Sequence, residues 1–174
     1  ELKEVESIRL GLIARDYPHK HLEVFPVVKE ILFKKFDLQV EFLVTLTDQE
    51  WQLKDNSFRN SVMNVGPLYL SECPAFYEAL DGVFFPSTAE CFSAVTIESM
   101  FMRKPLFCSN MPFNSSIMGY NAIYFNPMDC DDMALSIASY FARPFAKRSA
   151  FVNAAYSENT KYFSSSARAG RHFE

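Results

Sequence analysis

Glu90 and Glu98 are two carboxylates with seven residues between them, in the run Pro86-Ser87-Thr88-Ala89-Glu90-Cys91-Phe92-Ser93-Ala94-Val95-Thr96-Ile97-Glu98-Ser99-Met100. Val83 to Pro86 reads as a strand and Ser93 to Met102 as a helix, so Glu90 falls on a loop and Glu98 about a turn and a half into the helix. A helix start offers unpaired N–H groups and a partial positive charge to an anion. Carboxylates on either side of that anion can accept hydrogen bonds from hydroxyls, and a diphosphate flanked by two sugars is a ligand of that shape. Upstream, Ala14-Arg15-Asp16-Tyr17-Pro18-His19-Lys20 follows the first apolar run. An Arg fork and a Lys point charge such as Arg15 and Lys20 can neutralise a diphosphate without a metal. Standing alone, each segment reads better as solvated surface charge.

Other chemistry-bearing residues read more plainly. Asp129-Cys130-Asp131 spells D-x-D, but it follows Asn126-Pro127 and opens a helix, so its acids read as N-cap and first-turn residues and no metal is assigned. His19 and His21 straddle Lys20 as loop and helix-start residues, and Trp51 as a packing or lid residue. Cys73, Cys91, Cys108 and Cys130 form no C-x-x-C pair and read as four free, mostly buried thiols suited to a reducing cytoplasm. No P-loop, G-x-S-x-G or G-x-G-x-x-G occurs.

The elements that must position these residues follow from apolar periodicity. Strands are expected at Ile8 to Ala14, Val40 to Leu46, Val62 to Val65, Val83 to Pro86, Pro105 to Ser109 and Ala122 to Phe125. Helices are expected at Leu22 to Phe33, where Pro26 marks a kink or a later start, and after an N-cap at Ser71 with Phe76, Tyr77 and Leu80 facing inward. Others are expected at Ser93 to Met102, in a short segment closed by Ile117, and at Asp131 to Phe141. Thr47 to Asn60 is a polar stretch, and the tail from Ala146 to Glu174 reads as helical packing. Continuous apolar strands alternating with helices give an α/β fold, a doubly wound parallel sheet covered on both faces. Its ligands bind at the carboxyl ends of the strands, where the loops after Ala14, Val65 and Phe85 lie.

The chain's 174 residues suit one domain, residues 1–174, with a sizeable core. A net charge of −4 with scattered Lys and Arg argues against a nucleic-acid partner. No window reaches the ~18 apolar residues of a membrane span, and no signal peptide is apparent. The chain starts at Glu1 without Met, which suggests a piece of a longer polypeptide.

With these elements in place, P-S-x-x-E-C-F-S-x-x-x-x-E-S-M followed by Arg103-Lys104-Pro105 resembles the E-x7-E segment of retaining GT-B glycosyltransferases, usually P-S-x-x-E-G-F-G-x-x-x-x-E-A-M and then G-K-P. Arg15 and Lys20 fall at the spacing of that family's G-R-x-x-x-x-K. Asn64-Val65-Gly66-Pro67-Leu68 is similar to its base-contacting loop, Phe76 to Asp81 to its Y-x-x-A-D, Asn126-Pro127 to its D-P-x-D, and Tyr162-Phe163-Ser164 to its F-S-W. The resemblance runs from Ile8 to Ser164 and covers only the family's C-terminal, Rossmann-like domain. Cys91 and Ser93 depart from it, standing where the family has glycines that let the loop approach the ligand. Thr45 to Asp48 lacks a usual glycine pair, and Ser116 stands where Glu is common.

The resemblance implies the donor-binding half of an anomer-retaining transferase, with an NDP-sugar as donor, no metal or other cofactor, and an N-terminal acceptor domain missing from these residues. It implies catalytic roles for Glu90, Arg15 and Lys20. The diphosphate would meet Arg15, Lys20 and backbone N–H groups around Phe92, Ser93 and Ala94; the sugar would meet Glu90 beside Cys91; the ribose would meet Glu98; and the base would meet Gly66, Pro67 and Leu68. Cytoplasmic placement is expected, with room for peripheral membrane association through the full-length protein. The alternatives are a nucleotide-binding regulatory module that has lost transfer, suggested by Cys91 and Ser93, and a GT-B sugar-nucleotide epimerase.

Overall fold

The structure, a computed structural model, describes residues 7–91 and 93–163. Six strands form one parallel sheet: β1 (Ile8–Leu12), β2 (Val40–Val44), β3 (Val62–Asn64), β4 (Gly82–Phe85), β5 (Leu106–Ser109) and β6 (Ile123–Phe125). Their spatial order is β3-β2-β1-β4-β5-β6. The chain winds outward from β1 to β3, then returns to the other side of β1 and winds outward again. This is the doubly wound, Rossmann-like α/β architecture expected from the sequence. The connections are α1 (Val24–Phe36), α2 (Asp48–Leu53), α3 (Asn56–Ser61), α4 (Cys73–Glu78), α5 (Ala94–Phe101), α6 (Pro112–Met118) and α7 (Cys130–Phe141), with α8 (Phe145–Phe163) behind them.

The strands are apolar along their length because both faces are covered. Phe25 of α1 meets Phe42 and Phe84 with ring centroids 4.9 and 5.1 Å apart, and Phe84 reaches Phe125 at 5.5 Å. Each such ring, fully buried, contributes on the order of 1.5–3 kcal/mol through removal from water. Gly11, in the middle of the sheet, lies where a Cβ would come 2.7 Å from Leu80 Cδ1 and 2.9 Å from the Phe76 ring. Glycine there lets the α4 segment press directly onto β1.

Several sequence expectations are corrected. The polar stretch holds two six-residue helices, α2 and α3, each started by a side-chain cap rather than by an apolar face. Thr47 Oγ1 accepts from Glu50 N while Glu50 bonds back to Thr47 N, and Asp55 accepts from Phe58 N at 2.7 Å. Ser71 is not the cap of α4; Glu72 occupies that position, with no side-chain bond. Pro26 lies in the first turn of α1, so it marks the later start and not a kink. Of the four thiols only Cys108 is buried, and Cys91 is exposed. The tail is helical as α8; Ser164 lies outside the described residues.

Glu50 ties α2 to the loop after β1. Its carboxylate accepts from Thr47 N–H, from Arg15 Nε at 2.9 Å and from Asp16 N–H at 3.0 Å. Burial alone would raise its pKa, but the bonds from Thr47, Arg15 and Asp16 outweigh it and hold the carboxyl at about 2. A group whose folded pKa lies below its unfolded value stabilises the fold fully above about pH 4.5, and that stabilisation is lost as pH falls toward 2. After allowance for solvent screening, the contribution should be on the order of 1–2 kcal/mol. Urea unfolding of Glu50→Gln should therefore show a lower midpoint than the unsubstituted chain at pH 7 and a shallower fall between about pH 5 and 3. Parallel pH profiles for the two proteins would remove Glu50 as the titrating group.

Candidate functional site

The loop after β1 and the loop after β4 meet at the centre of the sheet's carboxyl edge. A 3-10 turn, Pro18–Lys20, forms in the first loop, pre-set by Pro18, and ends at His21 in the left-handed region with φ 55°. The turn exposes the His19 carbonyl, which accepts from Thr88 N at 2.8 Å, and Ser87 Oγ lies 2.9 Å from the same oxygen. Ser87 Oγ also lies 2.8 Å from Glu90 Oε1, so its single proton can go to either. The two loops are thereby fixed together by backbone.

Within this junction Lys20 Nζ donates to Glu90 Oε1 at 2.6 Å, with the two side chains only 13% and 10% exposed. The ammonium lies 5.3 Å from the centroid of the Phe85 ring. His19 Nε2 approaches the same Glu90 oxygen at 4.0 Å. Arg15, at the mouth of the loop, is held by Glu50 entirely through Nε, leaving its two terminal nitrogens outside that contact. The bond and charge of Glu50 raise the Arg15 pKa, so the guanidinium stays charged.

Ser93 precedes α5 in extended conformation and is buried, and its hydroxyl makes no capping bond to the first-turn N–H groups. Ala94, the first helical residue, is exposed, as is Cys91; Phe92 lies outside the described residues. Further along α5, Glu98 is half-buried and its Oε2 accepts from Tyr77 OH at 2.6 Å. Burial, then the bond and charge of Glu98, push the Tyr77 hydroxyl far above its ordinary pKa, so it is a fixed proton donor. Gly66 turns the chain at the end of β3 with φ 82°, Pro67 is exposed, and Leu68 packs on the core. The Asn64 side chain accepts from Leu46 N at 2.8 Å and donates to its carbonyl at 3.0 Å, anchoring this turn to the end of β2.

Arg15, Lys20, Glu90, Ser93 and Ala94 are thus brought to one edge, with Gly66 to Leu68 on the β2–β3 side of it. The pairing of Lys20 with Glu90 was not anticipated, since each was assigned to a different part of a ligand. Glu50 and Tyr77 were missed as site residues. Thr47-x-x-Glu50 is a capping-box pattern that would have placed Glu50 at a helix start. A buried tyrosine needs a partner for its hydroxyl, which would have pointed Tyr77 to a nearby acid.

Asp129 Oδ1 accepts from the N–H groups of Asp131 and Asp132 as the N-cap of α7, and Asp131 pairs with Lys35. Among the described residues no three His, Cys, Asp or Glu side chains are grouped to hold a metal ion. No described helix is long and apolar enough to cross a membrane.

Among solved structures, S. aureus TarM in a complex containing UDP has 18% identity and a TM-score of 0.79, covering 96% of this chain and 35% of that one. The trehalose-phosphate synthase (UDP-forming) of Burkholderia vietnamiensis has 16% identity and a TM-score of 0.71, covering 88% and 42%. The catalytic domain of starch synthase IV from Arabidopsis thaliana, bound to ADP and acarbose, has 14% identity and a TM-score of 0.73, covering 99% and 38%. The chain thus spans about a third to two fifths of the length of these proteins, and the likeness is one of fold. No curated protein sequence matches. The family model described as Glycosyl transferases group 1 matches residues 8–143, which is most of the chain, and the chain belongs to that family.

Proposed function

We propose that this chain binds the NDP-sugar donor of an anomer-retaining glycosyltransferase, as the C-terminal donor half of a two-domain enzyme whose acceptor half lies outside these residues. One observation carries the reading: Lys20 and Glu90 are paired where the loops after β1 and β4 meet, on the same carboxyl edge of the sheet as Arg15 and the start of α5, which has no side-chain cap. Solved neighbours that share the fold hold UDP or ADP, which supports a nucleotide at this edge.

The chemistry follows from the charges. Lys20 has three N–H donors and gives one to Glu90, so it can keep that bond and still reach a phosphate oxygen. Arg15 keeps Nε on Glu50 and turns its terminal nitrogens to the diphosphate. With the first N–H groups of α5, these cations stabilise the charge that grows on the leaving diphosphate as the sugar departs. Glu90, neutralised by Lys20, accepts hydroxyl bonds from the sugar; Glu98, already oriented by Tyr77, accepts them from the ribose.

The 174-residue chain should bind NDP with the same affinity in Mg²⁺ and in EDTA, and should transfer no sugar by itself. Calorimetry and a product assay check both, and a strict metal requirement would return Asp129 and Asp131 to consideration as ligands.

Glu98→Ala should weaken NDP binding by about ten- to a hundredfold, the worth of a hydrogen bond to a charged group, with Glu98→Gln weakening it less. Glu90→Ala should weaken the sugar-bearing donor while leaving bare NDP nearly unchanged, because the freed Lys20 still faces the diphosphate. Equal losses for NDP and NDP-sugar in a folded Glu90→Ala protein would show that Glu90 shapes the loop and does not read the sugar.

A further inference from the structure

At the opposite end of the sheet, a cavity of about 210 Å³ lies beneath the amino ends of β4 and β5, walled by the end of α7 and the first turns of α8. Arg103, Lys104 and Arg148 line it, with Tyr140, Phe145 and one carboxylate, Asp81. Asp81 is partly engaged, accepting from Arg9 N at 2.8 Å. Three cations therefore face one acid.

Each cation is held in a different way. Arg148 lies over the Phe141 and Phe145 rings at 5.4 and 5.9 Å, and its Nε is buried with no hydrogen-bond acceptor. Lys104 donates to the carbonyls of Glu78 and Leu80 at the end of α4, which leaves one of its three N–H donors uncommitted. Burial lowers its pKa against the opposing pull of Asp81 and Glu78.

Arg103 is the most telling of the three. It sits in the left-handed region at φ 52°, where a residue with a Cβ is strained, and at the position where the G-K-P pattern carries glycine. Its guanidinium stacks on the Tyr156 ring at 4.2 Å, which orients it. An arginine in a conformation that favours glycine, lining one cavity with Lys104 and Arg148, is placed for an anion that engages all three cations.

We propose that this cavity binds a small phosphate-bearing anion, separately from the donor edge. The volume is below the roughly 300 Å³ at which sites for larger ligands begin, so it suits a phosphate group with little attached. Two planar guanidinium forks and an ammonium match the several oxygens of a phosphate dianion better than the single charge of chloride.

The test titrates inorganic phosphate and glycerol 3-phosphate, at constant ionic strength set by chloride, into the 174-residue chain and three variants. Saturable binding of either probe is expected. Arg103→Gly, which relieves the backbone and so should keep the fold, and Arg148→Gln should each weaken it about tenfold or more, while the Arg15→Ala protein should still bind the probe. Tighter binding of glycerol 3-phosphate would identify a phosphomonoester, and tighter binding of inorganic phosphate the free ion. The proposal is overturned if neither probe saturates, if both cavity variants bind as well as the unsubstituted chain, or if Arg15→Ala abolishes binding and so places the anion at the donor edge.

Discussion

The pairing of β1 with β4 is the constraint on which the site depends. It is short: Leu10 faces Gly82 and Gly11 faces Val83 across the ladder, and no further register pair joins the two strands. Gly11 leaves room for Leu80 and Phe76 directly against β1, and Phe84 and Phe42 pack against Phe25. Because the chain turns outward in opposite directions from this point, the loops after β1 and β4 meet at the topological switch point, the crevice where open parallel sheets take their ligands. Lys20 and Glu90 come from those two loops. Their mutual bond is a consequence of strand order before it is a feature of chemistry.

The same crevice explains how charge is stored there. Taking a carboxylate and an ammonium out of water costs several kcal/mol each unless they are paired and further hydrogen-bonded. Lys20 and Glu90 meet that condition through each other and through Ser87. Arg15 meets it through Glu50, which is itself held by the start of α2. In the proposed reading a diphosphate arrives at cations whose positions are already fixed, so little ordering of long side chains remains to oppose binding. The carboxylates orient these cations without consuming all their donors.

The sheet was legible in the sequence because a parallel strand covered on both faces is a continuous apolar run, and each of the six runs became a strand. α1, α5 and α7 were legible by helical spacing of apolar residues. α2 and α3 were not, since a six-residue helix shows little periodicity and these two depend on the caps at Thr47 and Asp55. At the site, loop position and residue type brought out Arg15, Lys20, Glu90 and Glu98. Their partners stayed hidden for a physical reason: Glu50 lies 35 residues from Arg15, and Tyr77 lies 21 from Glu98. Such bonds are set by strand order and helix packing, which local sequence does not encode.

Cys91 and Ser93 are the departures that suggested a domain with the fold but without the activity. Their glycine counterparts could serve either to reach backbone angles closed to other residues or to leave room for a ligand. Among the described residues the only non-glycine positions with positive φ are His21, Asp37 and Arg103, so neither Cys91 nor Ser93 occupies a conformation that requires glycine. Ser93 is extended, at φ −117° and ψ 122°, and buried. Its side chain is accommodated by the protein without strain in the backbone. Cys91 is exposed, so in the proposed reading its thiol would bear on the space beside the donor and not on the path of the loop. Neither departure forces the backbone that carries Glu90 to Lys20, and in the proposed reading their weight falls on the size and chemistry of the sugar that the loop would meet.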